Sequence, residues 1–380
     1  MDYPVLRREQ LARQLAREDL DAFLITHPIN VSYLTGFSGE SSYLIVGRSH
    51  TLLVSDARFT TQLAAECPGL EVHIRPPGQN VTQAAAETLK KLGLRSIGIE
   101  GMHLTVDELE TLRTLIPQAQ WKSGAARVEQ LRVVKDPSEV AAIREAIAIA
   151  ERAFAAFGAL LRPDDTEKDL SDALEMYVRR SGGRCTSFPS IVAVGAQAAL
   201  PHAPPTNKRV SEADFLLVDW GASGRFYKSD LTRVLATRKN PVLSQLLKGS
   251  GNATRLETIY DIVLRAQETA LRAIRPGVKG HDVDATARGV IAEAGYGEYF
   301  GHGLGHGIGL QVHEAPALRP NSEHVLQPGM VVTVEPGIYL PGQGGVRIED
   351  DVLVTADGCE VLTNVAKEFA AIQLDLPASG

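Results

Sequence analysis

Along the first 125 or so residues the apolar positions switch repeatedly between helical spacing and the short runs typical of strands. Residues 5–18 predict a charged amphipathic helix. DAFLIT (21–26), SSYLIVG (41–47), TLLVSD (51–56), EVHIR (71–75) and RSIGIEG (95–101) predict strands, with helical stretches between several of them. This alternation implies an α/β domain over residues 1–128. YLTGFSG (33–39) interrupts it as a glycine-punctuated loop, whose two aromatics either pack into the core or face a neighbouring site.

The pattern changes at VEQLRVVKDPSE, which places a linker at 129–138. Asp136 precedes Pro137 and stands three residues before Glu139, the arrangement of a capping box at a helix start. Val140, Ile143, Ile147, Phe154 and Phe157 follow at helical spacing and predict a core-facing stripe.

From 139 to 366 the sequence repeats its own layout. A helix ending in Leu161-Arg162-Pro163, a connection, a second helix and glycine recur as a helix ending in Ile274-Arg275-Pro276 with the same sequel. His202-Ala203-Pro204 in one half answers His313-Glu314-Ala315-Pro316 in the other. Two acid-bearing apolar runs close each half: FLLVDWG and YKSDLTRVLAT, then VVTVEPGIYL and GVRIEDDVLVT. A pseudo-twofold duplication of this kind sets equivalent strands side by side, so four carboxylates converge from two halves. Residues 238–256 have no counterpart and read as a surface insertion, and 367–380 form a tail.

Bulk properties narrow the class. A chain of 380 residues exceeds one ordinary core, and 44% hydrophobic with 22% charged residues describes a soluble globular protein of two domains. A net charge of −7 argues against nucleic acid or an anionic membrane as partner. Cys67, Cys185 and Cys359 are odd in number and match no CxxC spacing, so they read as buried small hydrophobes in a reducing compartment. With a charged first segment and no run of apolar residues long enough to span a bilayer, the expected location is the cytoplasm.

The chemistry lies in the acids. Asp219, Asp230, Glu335 and Glu349 interrupt strongly apolar runs, where an unpaired carboxylate costs several kcal/mol or takes up a proton. Arg233, Arg347 and Lys228 are the nearby cations, too few for four separate ion pairs. A shared pair of divalent metal ions answers the charge count more economically, and hard oxygen ligands suit such ions. The stretch GHGLGHGIGLQVHE (301–314) offers nitrogen donors. If extended, it puts His302, Leu304, His306, Ile308 and Leu310 on one face and leaves the other bare for close backbone approach. His313 falls off that face unless a turn or bulge intervenes. Each histidine, taken alone, reads either as a satisfied core residue or as a ligand. No GxGxxG or GxxxxGK[ST] accompanies the glycines, so a phosphate cradle is disfavoured.

The series VDWG, SDLTR, HGLGHGIGLQVHE, VEPGIYL and RIEDD resembles, motif for motif, the pita-bread metallopeptidases of Xaa-Pro type, aminopeptidase P and prolidase. The first domain, with YLTGF and SDARF, is similar to their smaller α/β domain. The resemblance implies an α/β N-terminal domain followed by an α+β pita-bread catalytic domain. It implies that Asp219 and Asp230 hold a first metal, that His306 and Glu335 hold a second, and that Asp230 and Glu349 bridge the two. It implies substrate contacts at His202, His302, His313 and Arg347, with Arg347 either touching substrate or supporting the acids. His202, His313 and Glu335 are the implied catalytic groups. Two ions about 3.5 Å apart would activate a shared water and polarise the scissile carbonyl. The donor set favours Mn²⁺, with Co²⁺ or Zn²⁺ able to use the same site. The implied substrate is a proline-containing peptide cleaved at an amino-terminal Xaa-Pro bond, and the implied assembly is a homodimer. A dipeptidase restricted to Xaa-Pro and a hydrolase of small non-peptide amides are the competing activities. A non-catalytic binding module is disfavoured because all five ligand positions are intact.

Overall fold

Short apolar runs separated by helical segments build the first compact unit, Met1–Arg132, around one mixed six-stranded sheet. The structure, a computed structural model, describes residues 2–124, 126–237, 252–368, 371 and 373–374. In spatial order the strands are Glu71–Ile74, Thr51–Ser55, Tyr43–Gly47, Ala22–Ile25, Ser96–Ile99 and Gln120–Ser123. Ala22–Ile25 sits at the centre, antiparallel to Tyr43–Gly47 and parallel to Ser96–Ile99. All five runs read as strands are strands. The sixth, Gln120–Ser123, escaped because its sequence QWKS is polar and it closes the sheet as a largely exposed edge.

YLTGFSG is only half a loop. Tyr33, Leu34 and Thr35 form the last turn of the helix Pro28–Thr35, which ends where Gly36 adopts φ 77°, a left-handed conformation that favours glycine. Pro28 in the first turn and Gly36 at the end were the available signals. Tyr33 and Phe37 are both buried within this unit, so neither aromatic is free to face a neighbouring site. The cysteines also need correction. All three are free, but only Cys67 is buried, while Cys185 and Cys359 are partly exposed.

The second unit, Val133–Gly380, begins inside the stretch read as a linker, which is itself partly helical, since Arg127–Val133 is a helix. Asp136 caps the next helix, Pro137–Leu160: its carboxylate accepts from Ser138 N at 2.9 Å and Glu139 N at 3.1 Å, and Glu139 accepts from Asp136 N at 3.1 Å. Ile143, Ile147, Phe154 and Phe157 of its stripe are buried, and Val140 is half-buried at the margin. Phe154 stacks on Trp220 at 4.0 Å, and Trp220 Nε1 donates to Ala150 O. This packing fixes the strand that carries Asp219 against the helix.

The duplicated order of helix, helix, strands is present. Pro137–Leu160 and Glu167–Arg180 lead to Ile191–Val194, Phe215–Trp220 and Leu231–Thr237, while Asn252–Ala273 and Gly280–Glu293 lead to Gly305–Gly307, Val331–Val334 and Asp350–Val354. Each half contributes one larger sheet and one two-stranded sheet, Cys185–Thr186 with Ala222–Ser223 in the first and Gly337–Leu340 with Gly344–Arg347 in the second. The four-stranded sheet runs Gln373–Leu374, Leu231–Thr237, Phe215–Trp220, Ile191–Val194. The five-stranded sheet runs Glu314–Leu318, Gly305–Gly307, Val331–Val334, Asp350–Val354, Cys359–Val361. Among the described residues a single β-bridge, between Thr232 and Glu349, joins the two, with Glu349 N donating to Thr232 O at 3.2 Å. Of the stretch read as an insertion, 238–251 lies outside the described residues and the remainder opens the helix Asn252–Ala273. The tail supplies Gln373–Leu374, and most of the rest of it also lies outside the described residues. No helix among the described residues is long and apolar enough to cross a membrane.

Removal of the cap at the start of the second unit's first long helix is expected to cost about 1 kcal/mol. Asp136→Ala should show that loss in chemical denaturation, and Asp136→Asn should recover most of it.

Candidate metal centre

The four acids lie at corresponding strand ends of the two sheets. Asp219 is in Phe215–Trp220, opposite Thr232, and Asp230 precedes Leu231–Thr237. Glu335 follows Val331–Val334, and Glu349 precedes Asp350–Val354. Since that bridge joins the sheets at Thr232 and Glu349, these ends meet. One donor atom each of Asp230, His306 and Glu349 lies within 4.8 Å of the others. His306 Nε2 is 3.3 Å from Glu335 Oε1 and 3.8 Å from Asp230 Oδ2.

Three cations were candidates to compensate these acids, and one does so. Arg347 is buried and its Nη2 lies 2.6 Å from Asp219 Oδ2. Its Nε donates to Thr232 Oγ1 at 3.0 Å, and its Nη1 donates to Tyr339 Oη at 2.7 Å. Arg233 instead pairs with Asp350 at 2.7 Å, and Lys228 donates to Ser223 Oγ at 2.8 Å. The Arg347 guanidinium therefore lies directly against one of the acids.

The charge balance is therefore negative. Burial, followed by the charges of Glu349 and Asp219, pushes the Asp230 carboxyl well above the usual carboxylate range. Burial, then Glu335 and Asp219, does the same to Glu349. Asp219 is also raised by burial, against the opposing pull of Arg347. Burial works against the charge of Glu335 too, but hydrogen bonding to His306 together with the charges of His306, His302 and Arg347 outweighs it and lowers that group. Around Arg347, burial is overcome by Tyr339, Asp219, Glu349 and Glu335, which hold the guanidinium protonated. Asp219 Oδ1 is buried without a hydrogen-bond partner. Crowded carboxylates, an orphaned oxygen and one imidazole nitrogen are a donor set that fits hard divalent cations.

The glycine run is a strand over Gly305–Gly307 alone, with a register shift between His306 and Gly307. The bare face does admit backbone: a Cβ on Gly305 would overlap Thr333 O, and one on Gly307 would overlap Ala315 O. Gly301, by contrast, has open space, so the alternation expected over the whole run does not extend to its start. Leu304 and Ile308 are fully buried, whereas His306 is half-buried with its Nε2 facing Glu335 and Asp230. The irregularity brings His313 back to the site, its ring edge-on to His306 at 4.3 Å. His302 Nε2 and Tyr339 Oη are 2.9 Å apart. His202 is exposed and acts electrostatically on Asp219, His302 and His313. Burial lowers the pKa of His302 and of His313, and His306 adds to the effect on His313.

Four supporting residues went unread in the sequence. Thr232 Oγ1 donates to Glu349 Oε2 at 2.6 Å, and Thr333 Oγ1 donates to Glu335 Oε1 at 3.2 Å. Asp351 Oδ2 accepts from Asp230 N at 3.1 Å, and burial pushes the Asp351 carboxyl up to about 8. Tyr339 links His302 to Arg347, and burial pushes its phenol up to about 12. Three of them stand two residues from an acid, Asp230/Thr232, Thr333/Glu335 and Glu349/Asp351, which is the same-face spacing of a strand. That spacing was the missed signal.

Fold and site together are those of a pita-bread metallopeptidase. The model of metallopeptidase family M24 matches residues 141–356, and that of the creatinase/prolidase N-terminal domain matches 7–134. The chain belongs to metallopeptidase family M24. It is 34% identical over 379 residues to a Xaa-Pro dipeptidase of Pyrococcus horikoshii, covering 97% of this chain and all of the relative. Among solved structures it resembles a Xaa-Pro dipeptidase from Bacillus anthracis, with TM-score 0.87 and 36% identity over 98% of this chain and 100% of that one. It also resembles an X-Pro aminopeptidase from Thermotoga maritima MSB8, with TM-score 0.84 and 34% identity over 96% of this chain and 100% of that one.

Thr232 touches both a candidate ligand and the arginine that supports another. Thr232→Val, which keeps the shape, is expected to weaken metal binding about tenfold to hundredfold while the protein stays folded. Titration of Mn²⁺ into chelator-stripped protein measures it.

Proposed function

We propose that this chain is a dinuclear metal-dependent Xaa-Pro aminopeptidase, which removes the residue preceding proline from the amino terminus of peptides. The observation that carries the metal part is the convergence of Asp230, His306 and Glu349 donor atoms within 4.8 Å, beside acids that one guanidinium incompletely compensates. In this reading Asp219 and Asp230 hold one ion, His306 and Glu335 hold the other, and Asp230 and Glu349 serve both. Manganese is the ion proposed, because the set is four carboxylates with one imidazole. When bound, the ions supply Lewis acidity at the scissile carbonyl and an activated water.

The remaining work falls to side chains. The nitrogen of an Xaa-Pro bond belongs to a tertiary amide with no hydrogen, so it leaves only when protonated. Glu335 is assigned that transfer. Thr333 Oγ1 donates to its carboxylate and orients it to take the proton from the activated water and pass it to that nitrogen. His313 and His202 are assigned to the developing oxyanion as hydrogen-bond donors. His302 and Arg347, linked through Tyr339, are assigned to the wall on the substrate side.

A second reading, a dipeptidase restricted to free Xaa-Pro, is favoured by the names of the Pyrococcus and Bacillus relatives. The two differ in whether the pocket must stay open beyond proline. The subunits are further proposed to pair as homodimers, which light scattering at micromolar concentration tests.

With Mn²⁺ supplied, Ala-Pro-Ala is expected to be cleaved at least as well as Ala-Pro. Cleavage of Ala-Pro alone establishes the dipeptidase instead, and cleavage of neither overturns both. His313→Ala should keep its metal and lose about 10²-fold to 10³-fold in kcat/KM, the usual cost of one oxyanion donor.

A further inference from the structure

Glu314 follows His313 directly, and its carboxylate pairs with a cation that has no other part in the site. Lys135 Nζ lies 2.9 Å from Glu314 Oε1, with side-chain exposures of 0% and 8%. The lysine is itself anchored, its backbone N donating to Gly329 O at 2.9 Å. The same carboxylate closes over the turn before it. A Cβ on Gly309 would meet Glu314 Oε1 at 2.5 Å, so glycine is what lets the acid lie there. Gly309 N donates to Gln311 O at 3.1 Å, and Gly309 O accepts from Lys228 N at 2.9 Å. The 309–314 loop is thus wrapped around one buried carboxylate. His313, at its end, is exposed and packs edge-on against His306.

Loss of one partner of a buried ion pair is strongly destabilising, because the other is left charged and unpaired. We propose that the Lys135–Glu314 pair is a positioning device that holds the 309–314 loop so that the His313 imidazole reaches the substrate. Neither residue belongs to the five-ligand set, so the pair sets the aim of a substrate-side group rather than metal content. The proposal rests on the reading of His313 as that group.

The test uses the full chain with Glu314→Gln, which keeps the size of the side chain and removes its charge, and with Lys135→Met. In metal-free protein labelled with ¹⁵N-histidine, the His313 ring signals, assigned with His313→Ala, should move in both variants, while those of His27 and His103 in the first unit stay in place. Metal content after Mn²⁺ loading should match the parent. The value of kcat/KM should fall about tenfold to hundredfold, as expected for a displaced catalytic contact. In a His313→Ala background, Glu314→Gln should cost less than about twofold further, because coupled sites are not additive. Unmoved His313 signals overturn the proposal, as does an equal loss with and without His313. If Lys135→Met does not fold, Glu314→Gln decides alone. If His313→Ala keeps full activity, the substrate-side reading fails, and the ring signals still decide whether the pair aims the loop.

Discussion

Four carboxylates at the meeting of two sheets, three of them buried and Glu335 half-buried, with one guanidinium among them, are the constraint on which the catalytic unit depends. Left as they are, Asp230 is crowded by the charge of Glu349, and Glu349 by those of Glu335 and Asp219, in a low-dielectric setting. Such a cluster is retained only where something else shares the cost. Arg347 neutralises Asp219 and, through Thr232, reaches Glu349, but Asp219 still presents an unpartnered buried oxygen. Divalent cations meet that demand, and the surrounding fold is arranged to keep the donors close together.

The duplication is what makes the cluster affordable to build. Each half delivers acids at strand ends, and the Thr232–Glu349 bridge brings those ends together. The glycines in the second half do a complementary job. With no side chain at Gly305 and Gly307, the backbones of Thr333 and Ala315 approach the short strand that carries His306, so the imidazole stands beside Glu335. Behind the centre a second buried group, Arg233 with Asp350 and Lys367, holds the first residues of the last acid-bearing strand, and Arg233 Nη1 donates to Glu349 O. The site is therefore braced from the backbone as well as through side chains.

Much of this was legible beforehand, for physical reasons. A charged residue inside an apolar run announces a cost that must be met, so Asp219, Asp230, Glu335 and Glu349 stood out, and the repeated layout of the halves predicted their convergence. The capping box at Asp136 was legible because its chemistry is local. What escaped depended on tertiary context. Gln120–Ser123 pairs only as an edge strand, and the Pro28–Thr35 helix is too short for a periodic signal. Thr232, Thr333 and Tyr339 are ordinary residues until the acids beside them are known. The bend that returns His313 to His306 comes from an irregular register, which residue spacing does not encode.

An acid cluster that holds two metal ions needed for hydrolysis must fall silent when it is emptied. Chelator-stripped protein should therefore be titrated with Mn²⁺, reading bound metal by elemental analysis and cleavage of an Xaa-Pro peptide on the same samples. Binding should saturate at two ions per chain, activity should rise with occupancy from a negligible start, and both should be lost in Glu349→Gln. Full activity in the stripped protein, or unchanged metal content in that variant, would contradict that role of the cluster.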